Sequence, residues 1–110
     1  MDPYSMILLA YLQVAQCLGM DHPKPNPPVV TILPVKKFRC SASPTGKCIG
    51  LYTWPSRRIK IAGESWSISL LQHEMAHDLL WQREGRAVEH RAPEYRDCVT
   101  GTLDDEADDD

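Results

Sequence analysis

Two histidines and a glutamate stand close together in His73-Glu74-Met75-Ala76-His77, a segment of the form HExxH. Residues four positions apart lie above one another on a helix face, so both imidazoles can reach one cation. Glu74 is adjacent to the first histidine and could take a proton from a water at the same ion. Zinc prefers such nitrogen ligands, and three protein ligands leave its fourth position open. The spacing predicts one zinc ion per chain, with Glu74 as general base; the alternative is two surface histidines without a metal.

A third ligand is needed, and three residues further along the chain could provide it. His90 follows a glycine-containing turn, and a chain reversal at Gly85 would bring its imidazole back to the helix. Glu94 would instead complete a site of two histidines and one carboxylate, and Glu89 is the remaining candidate. We expect His90 as the ligand, with Glu94 or Asp78 orienting an imidazole through a hydrogen bond. A solvated acid on the helix surface is the alternative for Asp78.

Helices that could carry these residues are indicated by hydrophobic spacing and by residues that start or end helices. Residues 5–19 have apolar residues at helical spacing, which predicts a first helix. The helix with the HExxH segment should begin near Ser65 or Ser67 and end at Gly85. A short third helix is expected after Pro93, because proline is favoured in a first helical turn.

Three short strands are predicted between the first and second helices. Residues 29–33 are apolar and β-branched, and residues 48–54 and 57–63 alternate between apolar and polar. The Pro55-Ser56 turn between the last two indicates a hairpin. A chain of 110 residues has room for a single core, so the elements predict one α+β domain over residues 1–102.

Charge is divided unevenly between this domain and the end of the chain. The net charge is −3, but residues 103–110 hold six of the fifteen acids, which leaves twelve bases and nine acids elsewhere. Such an acidic run repels itself and predicts a disordered tail, either solubilising or competing with an anionic partner. The mildly basic body predicts at most a weak DNA contact. The basic residues concerned are Lys36, Lys37, Arg39, Arg57 and Arg58.

The sequence gives no indication of a membrane span or a secretory signal. The most apolar stretch, residues 6–18, is shorter than the roughly 20 residues needed, and no lysine or arginine precedes it. These features predict a cytoplasmic protein with no membrane partner. The four cysteines, Cys17, Cys40, Cys48 and Cys98, are therefore expected to be reduced. For Cys40 and Cys48 two alternatives remain, which are one strand-connecting disulfide or two thiols.

Three segments follow one another in the second half of the chain: GLYTWPSRRIKIAG, LLQHEMAH and EHRAPEYRDC. In this order they resemble the SprT-like and related small zincin metallopeptidases, with ImmA/IrrE-type peptidases as a second resemblance. Those proteins have a G-x-Y element, an I-x-I strand, a helix with L-L-x-H-E-x-x-H and a downstream segment like H-G-x-E-F. The resemblance covers residues 48–98, about half the chain. The matching residues are Gly50, Tyr52, Ile59, Ile61, Leu70, Leu71, His73, Glu74, His77, His90, Glu94 and Tyr95.

This resemblance implies an α+β zincin-like core with an N-terminal helix, a small three-stranded sheet, an HExxH active-site helix and a short C-terminal helix. It implies that His90 is the third zinc ligand, although Arg91 replaces the usual glycine and the spacing from His77 is short. It also implies that the strand Ile59-Lys60-Ile61-Ala62 pairs with an extended substrate through backbone hydrogen bonds. Tyr95 would either donate to a developing oxyanion or pack in the core.

The function expected from these residues is a zinc-dependent endopeptidase that acts on a protein substrate through a metal-activated water. Two alternatives are a nucleic-acid-associated protein and a zinc-stabilised interaction module without turnover. The presence of Glu74 argues against the second alternative, because a structural zinc needs no general base.

Overall fold

The structure is a computed structural model that describes residues 2–99 of the chain. These residues contain three α-helices and five short strands. The predicted α+β class and the order of its helices and main strands are confirmed. The acidic tail predicted for residues 103–110 lies outside the described residues. The elements are α1 Pro3–Cys17, β1 Val29–Leu33, β2 Phe38–Arg39, β3 Lys47–Cys48, β4 Gly50–Thr53, β5 Arg58–Ala62, α2 Ile68–Glu84 and α3 Pro93–Cys98, with a 3-10 turn at Gly63–Ser65.

The central strand of the main sheet is β5, because the strand order is β1-β5-β4. β1 runs parallel to β5, and β4 runs antiparallel to it with Tyr52 opposite Ile59, which confirms the predicted hairpin. Since β5 is paired on both sides, the prediction that Ile59, Lys60, Ile61 and Ala62 bind a substrate backbone is wrong. Among the described residues, the edge strand that contacts α2 is β4.

Helix α2 lies between α1 and the sheet, and residues 70–80 are buried without interruption. Its first turn is capped by Ser67, whose side chain accepts a hydrogen bond from Leu70 N at 3.0 Å, and it ends at Gly85 in the left-handed region. A helix buried on all sides is normally apolar, yet this one encloses polar residues in mid-helix. They are Gln72, His73, Glu74, His77 and Asp78.

Two disulfides join elements of the described chain, so the expectation of reduced cysteines is wrong. Cys40–Cys48 closes the β2–β3 ribbon, as the strand-connecting alternative proposed. Cys17–Cys98 joins the end of α1 to the end of α3, with the two Cα atoms 5.6 Å apart across a sequence separation of 81. In residues 2–99, no helix has the length and apolar character that crossing a membrane requires.

Candidate metal centre

The three histidines singled out in the sequence meet at one point beside α2. His77 Nε2 is 3.2 Å from His73 Nε2 and 2.9 Å from His90 Nε2. One nitrogen from each ring lies within 4.8 Å of the others, so the three imidazoles could hold a metal ion. The helix supplies His73 and His77, both buried, while an exposed loop after Gly85 supplies His90.

The chemistry of this donor set suits a divalent transition metal. Two nitrogens bound tetrahedrally to one zinc at about 2.0–2.1 Å are about 3.3–3.4 Å apart, close to the separations between these rings. Burial, with a smaller contribution from the charge of His90, lowers the pKa of His73 to about 4. His73 is therefore neutral near pH 7, and its nitrogen lone pair does not need to lose a proton before it binds a metal.

Tyr95 on α3 contacts His77 at Nδ1, the ring nitrogen that does not face the other histidines. The Tyr95 hydroxyl is 2.8 Å from His77 Nδ1 and donates to the carbonyl of Val88 at 3.1 Å. Because the single phenolic proton goes to the carbonyl, the oxygen accepts the Nδ1–H of His77. That tautomer directs the Nε2 lone pair towards the other histidines. The geometry favours this supporting role, together with core packing, over the expected hydrogen bond to an oxyanion.

Neither of the alternative carboxylate ligands joins the histidine cluster. Glu94 accepts a hydrogen bond from Arg83 Nη2 at 2.7 Å, and this contact lowers the pKa of the Glu94 carboxyl. Glu89 is exposed beside His90. Glu94 therefore stabilises α3 against the end of α2, and the structure does not place it as an orienting partner of an imidazole.

Asp78 is fully buried, so the expectation of a solvated helix acid does not apply to it. Its two oxygens accept from Arg57 Nε and Nη2 at 2.8 and 2.9 Å, from the Tyr52 hydroxyl at 2.6 Å and from Gln82 Nε2 at 2.7 Å. The Tyr52 ring in turn stacks parallel to His77, with centroids 6.4 Å apart. Asp78 is thus linked to His77 through Tyr52 and not by a direct hydrogen bond.

The carboxylate of Glu74 is fully buried and faces the strand β4 at Gly50. A Cβ atom built on Gly50 would lie 2.5 Å from Glu74 Oε2 and 2.9 Å from Leu70 Cδ1. Only glycine leaves room for this close approach. Gly50 is therefore a positioning residue that the sequence indicated only as part of a G-x-Y element.

An open groove of about 450 Å³ runs past the histidines. It lies between the end of β4, the second half of α2 and the loop over residues 87–90. Its lining residues are Tyr52, Thr53, Trp54, His77, Trp81, Ala87, Val88, Glu89 and His90. The edge strand β4 and two of the three histidines therefore share one surface depression.

One of the five basic residues predicted to contact DNA is engaged inside the protein. Arg57 is turned inward, and its Nη2 group donates to Asp78 and to the carbonyl of Asn26 at 2.8 Å. The Asp78 hydrogen bonds raise the pKa of the Arg57 guanidinium. The other four, Lys36, Lys37, Arg39 and Arg58, are exposed.

No family model matches the chain, and comparison with curated proteins and with solved structures finds no similar protein.

Proposed function

We propose that this chain is a zinc-dependent metallopeptidase that hydrolyses peptide bonds of protein substrates. The observation that supports it best is the convergence of three imidazoles at the helix that carries the buried Glu74. Two of these imidazoles line a groove bounded by an edge strand. A zincin-like core related to the SprT-like peptidases, or to the ImmA/IrrE type, is part of this proposal, and it rests on the matching residues of the sequence.

His73, His77 and His90 would hold one zinc ion through their Nε2 atoms. When bound, zinc lowers the pKa of a water towards 7 and polarises a carbonyl group. Glu74 would accept the proton of that water and deliver it to the nitrogen of the departing amine.

An extended substrate would bind along β4, and not along β5 as the sequence suggested. β4 offers an unpaired edge within the described sheet, and its residues Tyr52 and Thr53 line the groove that contains His77. Backbone hydrogen bonds to an edge strand bind an extended peptide with little regard to its side chains. This arrangement would bring the peptide bond past the three histidines.

The general-base role is tested by the variant Glu74→Gln. We expect wild-type protein to bind about one zinc per chain by mass spectrometry and to cleave casein, and the variant to keep zinc while cleavage falls to background. The variant Glu64→Gln, at an exposed acid outside the groove, serves as the control and should cleave normally. Unchanged cleavage by Glu74→Gln would remove this mechanism.

The ligand set is tested by three alanine variants compared by zinc titration. His90→Ala should lose most of the zinc affinity, whereas His22→Ala, at an exposed loop histidine, should bind as the wild type does. Glu94→Ala should also keep its zinc. Retention of zinc by His90→Ala together with its loss in Glu94→Ala would contradict the assignment of His90.

The second candidate, an interaction module that uses zinc for folding alone, is separated by the same experiments. Zinc binding without cleavage in the wild type would favour it, and DNA binding at low salt would favour the nucleic-acid alternative. A cytoplasmic location stays part of the proposal, although disulfides are rare in that compartment and all four cysteines here are paired. Trapping of thiols in cells tests it. Free thiols at the four cysteines would support a cytoplasmic location, and recovery of both disulfides would contradict it.

A further inference from the structure

Two tryptophans form a continuous aromatic wall beside the candidate metal centre. The Trp54 and Trp81 rings stack with centroids 5.3 Å apart and an angle of 5° between their planes. Trp81 lies one turn beyond His77 on α2, and Trp54 directly follows β4. The wall therefore begins at the histidine and continues at the end of the strand that we propose to bind substrate.

Both indoles face the groove and are only half-buried. Ligand sites in proteins are concave and lined mainly by apolar and aromatic side chains, so an aromatic pair in this groove favours an apolar ligand group. Ala87 and Val88 line the same groove from the loop over residues 87–90. An apolar side chain entering from the substrate would thus meet apolar atoms from three elements.

A cationic side chain is the competing occupant, because Glu89 lies at this groove and indole faces attract cations. Two observations favour the apolar occupant. Each indole already has one face covered by the other ring, and the Glu89 side chain is exposed, so a charge placed there would be screened by water. A divalent ion held by His77 and His90 would also repel a cation in the same groove.

We infer that Trp54, Trp81 and Val88 form a specificity pocket that selects a large apolar side chain, above all an aromatic one, next to the bond that is cut. This inference rests on the proposed peptidase function. It adds a substrate class, because backbone pairing along β4 would by itself accept many sequences.

The test uses matched peptides that differ at one position beside the cleavage site, with phenylalanine, leucine, alanine, lysine or glutamate. Wild-type zinc protein should cleave the phenylalanine peptide with kcat/KM at least about tenfold above that of the alanine peptide. Trp54→Ala and the milder Trp81→Leu should reduce this ratio to about one. Trp66→Ala removes a half-buried tryptophan that does not line the groove and should leave the ratio unchanged.

A binding measurement separates failure of the pocket from failure of the peptidase proposal. The same peptides are titrated into zinc-loaded Glu74→Gln protein while tryptophan fluorescence is recorded, since two of the three tryptophans line the groove. Tighter binding of the phenylalanine peptide supports the pocket even if no peptide is cleaved by any form. Equal binding of all peptides overturns the inference, and so does a preference for lysine that Glu89→Gln abolishes.

Discussion

The two halves of the candidate metal centre are held by different means. His73 and His77 stand on α2, a helix that is buried over residues 70–80 and enclosed by α1 and the sheet. His90 stands on an exposed loop, and its neighbourhood is fixed by α3 through Tyr95. The helix half is set as soon as the core forms, whereas the loop half depends on how closely α3 is held to the rest.

The helix half is anchored by a buried polar network on the next face of α2. Asp78 binds Arg57 and Gln82, and Gln82 also donates to the Tyr11 hydroxyl at 2.9 Å. The Tyr11 hydroxyl in turn donates to the carbonyl of Lys24 at 2.8 Å. Because α1, α2 and the β4–β5 turn meet in this network, it fixes the rotation of α2 and hence the direction of its two histidines.

The largest effect is expected from Asp78→Ala, which tests whether this network holds the helix half. The change leaves the Arg57 guanidinium, whose side chain is only 17% exposed, without its carboxylate partner. Breaking one side of a buried ion pair costs about 3–5 kcal/mol. Urea unfolding should show a loss of this size, which is large enough to leave a fraction of the molecules unfolded at 25 °C.

A matched control for that variant is Arg96→Ala, which breaks the exposed pair with Asp97. The two side chains are 77% and 59% exposed, so the loss of stability should be too small to measure. Similar losses in Asp78→Ala and Arg96→Ala would show that the network does not anchor α2.

The next effect concerns the loop half and the disulfide that attaches α3. The double variant Cys17→Ser with Cys98→Ser should lower the free energy of unfolding by about 2–4 kcal/mol, because the bond closes a long loop across 81 positions. It should also weaken zinc binding by about tenfold, since α3 carries Tyr95. Urea unfolding measures the change in the free energy of unfolding, and zinc titration measures the change in affinity.

The second disulfide provides the control for this comparison. Replacing Cys40 and Cys48 by serine opens a loop across only 8 positions, so the loss of stability should be smaller. Zinc affinity should not change, because β2 and β3 lie apart from the histidines. Equal loss of zinc affinity in both double variants would mean that α3 has no special role in the centre.

A smaller effect is expected from Gly50→Ala. This variant tests the contact between the strand β4 and Glu74 on the helix α2. The added methyl group would meet Glu74 Oε2 and Leu70 Cδ1, so β4 or the carboxylate must shift, at a cost of about 1–3 kcal/mol. Cleavage should fall more than zinc binding does, because the histidines are not displaced. Shortening the acid in the double variant Gly50→Ala with Glu74→Asp should recover part of the stability; no recovery would contradict the contact.

The difference between the halves also explains what the sequence could predict. HExxH lies within one helix, where ligand spacing follows from helix geometry, so His73 and His77 were identifiable from local pattern alone. His90 could be proposed because Gly85 marks a chain reversal. The support from Tyr95 and the Cys17–Cys98 bond depends on how α3 packs on α1, and no local pattern encodes that contact.

The sheet shows the same limit. The hairpin of β4 and β5 follows from two alternating segments and a short turn, as predicted. The position of β1 does not, because a parallel partner reached by a long connection can add to either side of a hairpin. β1 pairs with β5, which makes β5 central and moves the available edge to β4. The strand proposed to bind substrate therefore changes from β5 to β4, although all three strands of the main sheet were predicted.

The smallest effect on folding should come from Tyr95→Phe. This variant removes one oxygen atom and tests whether α3 supports the metal centre through the Tyr95 hydroxyl. The variant keeps the ring, buried with 7% exposure, and removes only the oxygen that joins His77 Nδ1 to the Val88 carbonyl. Stability should fall by about 1 kcal/mol, the net worth of a typical hydrogen bond. Zinc affinity should fall by about ten- to a hundredfold, because the His77 imidazole loses the partner that fixes its tautomer.

The exposed Tyr4→Phe variant is the control and should change neither quantity, since Tyr4 is 56% exposed and far from α3 in sequence. A fall in stability without a fall in zinc affinity would mean that Tyr95 only packs the core. His77 would then be oriented by its own helix and by the stacked Tyr52 ring, and the two halves of the centre would be independent. If the free energy of zinc binding falls by more than the free energy of unfolding does, α3 completes the site by acting on a histidine of the helix half.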